Sequence, residues 1–185
     1  MKHLILFSLI ALLNFSCAEK DQKLQQIEAS VIENAMGNDL SYDPIDTKEV
    51  SKITYKDYFD VVKTMLDTDE NIDKTIERVQ YIVDKARNEN DGNTYHVWNF
   101  NLEGLKKYKS ATDKNSTDVK VYEHSYSIIN PMFDNQKVTV VNYYFFDSSD
   151  KLLGKVSESE MKDFKKDFVK SDKMPYMVAY YESLQ

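Results

Sequence analysis

The chain has 185 residues, a length that suits one domain of ordinary size, and carries 31 acidic against 24 basic side chains for a formal net charge of −7. Leu, Ile, Val and Phe supply about a quarter of it, while Gly and Pro number only four and three, which excludes a wholly disordered or collagen-like chain. Only Arg78 and Arg87 among the basic residues are arginines. The chain therefore lacks both the cation clusters that neutralise phosphate backbones and the guanidinium forks that read base edges, and nucleic acid is excluded as a partner.

The N-terminus opens with the basic Lys2-His3, continues as the apolar run Leu4–Leu13 broken only by Ser8, and reaches Ser16-Cys17 through Asn14-Phe15. Ten apolar residues in a helix cover about 15 Å, half a bilayer core, so the run is an export signal rather than a permanent span. The segment resembles the signal peptides of bacterial lipoproteins, in which a small residue precedes a cysteine that is diacylated and becomes the new N-terminus. That resemblance implies a signal peptide at residues 1–16, lipidation of Cys17 and attachment to the cell envelope, with the outer membrane as the expected site. The following Ala18-Glu19-Lys20-Asp21 resembles the short tract that sends some Gram-negative lipoproteins to the cell surface. Surface and periplasmic faces both stay open. Cys17 is also the only cysteine, so no internal disulfide and no cysteine-rich zinc site can form.

Beyond the cysteine, Leu24, Ile27, Val31 and Ala35 step by three and four, and Gly37 follows as a C-cap, which predicts a membrane-proximal helix. Gly37 to Ser51 is dense in Asn, Asp, Ser and Pro and reads as a linker, so residues 17–51 are expected to form anchor, helix and linker, and 52–185 a single domain. Thr54 is placed to cap a helix bearing Tyr58, Val61, Val62, Met65 and Leu66. Ile72, Ile76, Val79, Val83 and Ala86 define another helix, ended by the polar stretch 88–93. Thr94 to Leu102 then alternates, with His96, Trp98, Phe100 and Leu102 on one side, and predicts a strand. Glu103 to Asp118 reads as a loop. Val119 to Ile129 alternates with Tyr122, His124, Tyr126 and Ile128 together; Lys137 to Phe146 is apolar on both faces and should lie centrally. Asp147–Asp150 is a hairpin turn before a short return strand at Lys151–Val156. Ser157 and Glu160 form a capping box, and Pro175 opens a last helix. The expected fold is α+β: N-terminal helices, an antiparallel meander of about four strands, and C-terminal helices packing on the sheet.

Catalytic signatures are few. No G-x-S-x-G elbow, phosphate-cradling glycine loop or H-E-x-x-H motif is present, and no cofactor is expected. Asp67-Thr68-Asp69-Glu70-Asn71 resembles the start of a calcium loop but has Ile72 where Gly is needed and Arg78 where a bidentate Glu belongs, so it reads as an acidic turn. His96 and His124, on the expected strands, would share a sheet face with Trp98, Tyr122 and Tyr126. This is a candidate binding surface, and with a carboxylate from elsewhere a metal or acid/base site; Glu123 points to the opposite face. The favoured function is a lipid-anchored, non-enzymatic binding protein of the envelope with a protein, peptide or glycan partner. The alternative is a small envelope hydrolase or metal-binding protein using His96 and His124.

Overall fold

The computed structural model describes residues 21–34, 40–130, 134–168 and 170–185. The signal segment, Cys17 and Ala18-Glu19-Lys20 lie outside them, as do Ala35, Gly37 and Pro131. The chain divides into two units, residues 1–39 and 40–185. In the first, helix α1 spans Gln22–Asn34 and carries the expected stripe of Leu24, Ile27 and Val31.

The second unit is α+β, as the pattern of elements predicts. It runs β1 (Asp43–Thr54), α2 (Tyr55–Leu66), α3 (Ile72–Asn88), α4 (Gly92–Ser110), β2 (Thr117–Asn130), β3 (Gln136–Asp147), β4 (Leu152–Ser157), α5 (Glu158–Asp167) and α6 (Met174–Glu182). The four strands form one antiparallel sheet in the order β1-β2-β3-β4. Three helices are thus inserted between two neighbouring strands.

Two expectations fail here. Residues 43–54 are strand β1, not a linker, and the unit begins at Leu40 rather than at residue 52. Its polar composition reflects an edge position: only Ile53 is buried, Pro44 donates no hydrogen bond, and the register slips at three places. Charge, proline and bulges are how an exposed edge avoids pairing with another chain. Lys173 adds to this by donating from Nζ to the Lys52 carbonyl at 2.6 Å.

The second failure is 94–102, which is helical and belongs to α4; the helix continues through the expected loop to Ser110. Asp91 caps it by accepting from the Thr94 amide at 3.1 Å. The alternation misleads because α4 is covered on more than one side. Tyr95, Trp98, Leu102 and Leu105 face one cluster while Phe100 packs in another.

Those two clusters organise the unit. One face of the sheet, with Ile53, Val119, Val121, Tyr143, Phe145 and Val156, packs against Tyr58 and Val61 of α2, Met161 of α5 and Met174 and Met177 of α6. The second is all-helical: Val62, Val79, Val83, Leu102 and Leu105. Adjacent residues of α2, Val61 and Val62, serve different clusters, so this helix is the wedge between them. Its start is held by a capping box between Thr54 and Asp57, and that of α5 by Ser157 and Glu160.

At the base of the inserted helices, Tyr58 is buried and donates to Asp118 Oδ2 at 2.8 Å, while Lys107 donates to the same oxygen at 2.8 Å. The ring rests on Gly104, where a Cβ would come within 2.2 Å of Tyr58 Cδ1. Gly104→Ala should therefore cost about 1–3 kcal/mol by overpacking, read as a lowered urea midpoint. Gly92→Ala, at a position with nothing within 4 Å, should leave the midpoint unchanged or raise it slightly; equal behaviour of the two variants would refute this packing.

Candidate ligand-binding groove

The expected aromatic face is only partly assembled. Tyr122, His124 and Tyr126 do share one face of β2, but His96 and Trp98 lie on α4 and do not join them. His96 is exposed with its ring 5.2 Å from that of Tyr95, and Trp98 packs against the all-helical cluster. Tyr122 donates to Glu49 Oε2 at 3.1 Å and meets Phe146 edge-on.

His124 is 0 % exposed. The Tyr42 hydroxyl lies 2.9 Å from Nε2 and the Thr47 hydroxyl 2.7 Å from Nδ1, with the Tyr126 ring stacked at 5.4 Å. In a neutral imidazole one nitrogen donates and the other accepts, and two hydroxyls satisfy either tautomer. Both nitrogens are thereby occupied and no carboxylate orients the ring, so the arrangement locks a core histidine and leaves no nitrogen for a metal or a substrate proton. Asn142 donates to the Tyr126 hydroxyl at 3.1 Å. Among the described residues, no group of three His, Cys, Asp or Glu is placed to hold a metal ion.

Burial lowers the His124 pKa below its ordinary value of 6.5, outweighing the opposing influence of Asp46. Unfolded chains then bind more protons than folded ones as pH falls through 6.5, so folding stability drops in that range. Carboxylates whose pKa values are lowered, Glu123 and Glu160 among them, act only below their ordinary 4.5. Urea midpoints at pH 7.5 and 5.5 should fall for the native sequence and converge for His124→Gln; an unchanged slope in the variant would show that the buried ring is not the cause.

The feature with binding geometry lies elsewhere, beside the sheet-side core cluster. A groove of about 230 Å³ runs between α2, α4 and α6, with Phe168 also in its lining. Val61 and Met65 come from α2, Phe100 from α4, and Met174, Met177 and Tyr181 from α6. Met65 is 39 % exposed at its mouth. Three methionines give the wall unbranched, polarizable side chains that adapt to varied apolar shapes.

Two polar groups interrupt this lining. Asn101 of α4 is only 5 % exposed, and one of its Nδ2 hydrogens is donated to the Val97 carbonyl at 2.9 Å. Among the described residues its Oδ1 and second N–H have no hydrogen-bond partner. Glu182, at the end of α6, is exposed and forms no ion pair among the described residues. Among the described residues no cation lines the groove. Sequence reasoning saw Met65 only as part of a helical stripe; reading 94–102 as a strand hid Asn101, which as a helical position stands out as a polar residue beside Leu102 and Leu105.

No protein-family model, curated protein or solved structure matches this chain.

Proposed function

We propose that the protein is a lipid-anchored, non-enzymatic binding protein of a bacterial cell envelope, held through Cys17 and engaging its partner through the groove between α2, α4 and α6. The observation that carries the binding role is that groove: apolar walls from three helices around a buried amide with unused hydrogen-bonding capacity. Ligand sites combine apolar lining with a few placed polar groups in this way. The closed environment of His124 and the position of His96 on α4 supply no acid/base pair to set beside it.

Anchoring is supported by the order of residues at the N-terminus, a basic start, a short apolar run and Ser16-Cys17. Among the described residues no helix is long and apolar enough to cross a membrane. Each buried acyl methylene contributes about 0.8 kcal/mol, so two or more chains hold a protein essentially permanently and leave the fold free for binding. We place the protein on the outer membrane, with both the surface and the periplasmic face open to it.

In Gram-negative cells fed a labelled fatty acid, the native protein should take up label and Cys17→Ala should not. External protease on intact cells should remove the domain if it faces outward and spare it if it faces the periplasm. Labelling of neither form, or of both, would sink the anchor.

A further inference from the structure

The geometry points to a specific class of occupant for the groove: an extended peptide segment of a partner protein that inserts an apolar side chain, presents that residue's backbone N–H and C=O to Asn101 and carries a Lys or Arg beside it. The inference rests on reading the groove as the binding face and adds the chemistry of what it holds.

Volume narrows the choice first. At about 230 Å³ the groove falls below the range of roughly 300–1,000 Å³ typical of whole small-molecule ligands. It matches an anchor side chain of a larger partner, the mode in which a buried pocket supplies most of an interface's energy.

The amide narrows it further. Asn101 offers one acceptor and one remaining donor, side by side and 5 % exposed. The backbone N–H and C=O of one extended residue are its complement, since these two groups face the same way, the N–H donating to Oδ1 and the C=O accepting from Nδ2. Docking an apolar surface without such a group would bury both atoms unpaired, at a cost of about 1–3 kcal/mol each.

Charge settles the flank. Among the described residues, Glu182 is the one ionised group of the lining, it has no ion-pair partner, and no Lys or Arg of the lining can receive an anion. A fatty acid would set its carboxylate against Glu182, whereas a peptide with a neighbouring Lys or Arg gains an ion pair there.

The test is selection of a phage-displayed library of random decapeptides on the full chain held in lipid nanodiscs, with decanoate titrated separately. Enriched peptides should share a Leu, Ile, Met or Phe next to Lys or Arg. Asn101→Leu, close in size, should weaken a selected peptide about tenfold. Glu182→Lys, an exposed change that leaves the fold intact, should turn the preferred flank acidic. Absence of a shared motif, an acidic flank for the native chain, or indifference of the peptides to both substitutions would overturn the inference. Decanoate binding without peptide binding would also overturn it while leaving the groove a binding site; Cys17-dependent labelling stands or falls independently of either.

Discussion

Inserting three helices between two hydrogen-bonded strands obliges the chain to leave β1 and return to its immediate neighbour in register. Tyr58 meets that requirement. It stands one turn into α2, lies flat on Gly104 of α4, and reaches Asp118 at the start of β2, where Lys107 of α4 also converges. The exit and return of the insertion are thus held at one carboxylate, with the Tyr55 and Lys56 amides donating to the Ser116 and Lys114 carbonyls beside it. Asp118 is 13 % exposed, so removing either partner leaves a largely desolvated carboxylate short of a hydrogen bond.

The groove shares its residues with the sheet-side core. Val61 of α2, Phe100 of α4 and Met174 and Met177 of α6 belong to that cluster and also line the groove. Phe100 packs edge-on against Tyr58 and Tyr180 yet still lines the opening. A site whose walls come mainly from three helices of one core is held by that packing rather than by loops.

Legibility of the fold tracked the simplicity of each element's surroundings. Strands β2 to β4 and the capped starts of α2 and α5 were visible because period-two alternation, or in β3 an apolar run buried on both faces, marks the strands and local side chains satisfy the helix starts; Ser157 with Glu160 and the Asp147 turn need no tertiary information. Strand β1 was hidden because an edge strand protects itself with the same Asp, Ser, Lys and Pro that make linkers. Helix α4 was hidden because aromatic residues facing two clusters, such as Trp98 and Phe100, imitate a period of two. That single error also moved the candidate site, since it placed His96 and Trp98 on the sheet and removed Asn101 from view. The shared face of Tyr122, His124 and Tyr126 was readable from alternation alone; that His124 sits closed between Tyr42 and Thr47 was not, because those partners come from the segment read as a linker.

A small groove and the lipid anchor proposed at Cys17 would complement each other energetically. One apolar side chain and two hydrogen bonds give modest affinity, since about 0.5–1.5 kcal/mol per hydrogen bond and the burial of one side chain must offset lost translational freedom. Confinement to a membrane changes that balance. When partner and protein are tethered to the same envelope layer, the encounter proceeds at a raised effective concentration, and weak contacts suffice for high occupancy without slow release. The acidic surface then acts on selectivity: a net charge of −7 disfavours approach of acidic segments and favours basic ones, in the same direction as the unpaired Glu182 at the mouth of the groove. On the proposed reading, long-range charge and the local carboxylate select the same partner, while Asn101 distinguishes a peptide from an apolar chain that has no backbone to offer.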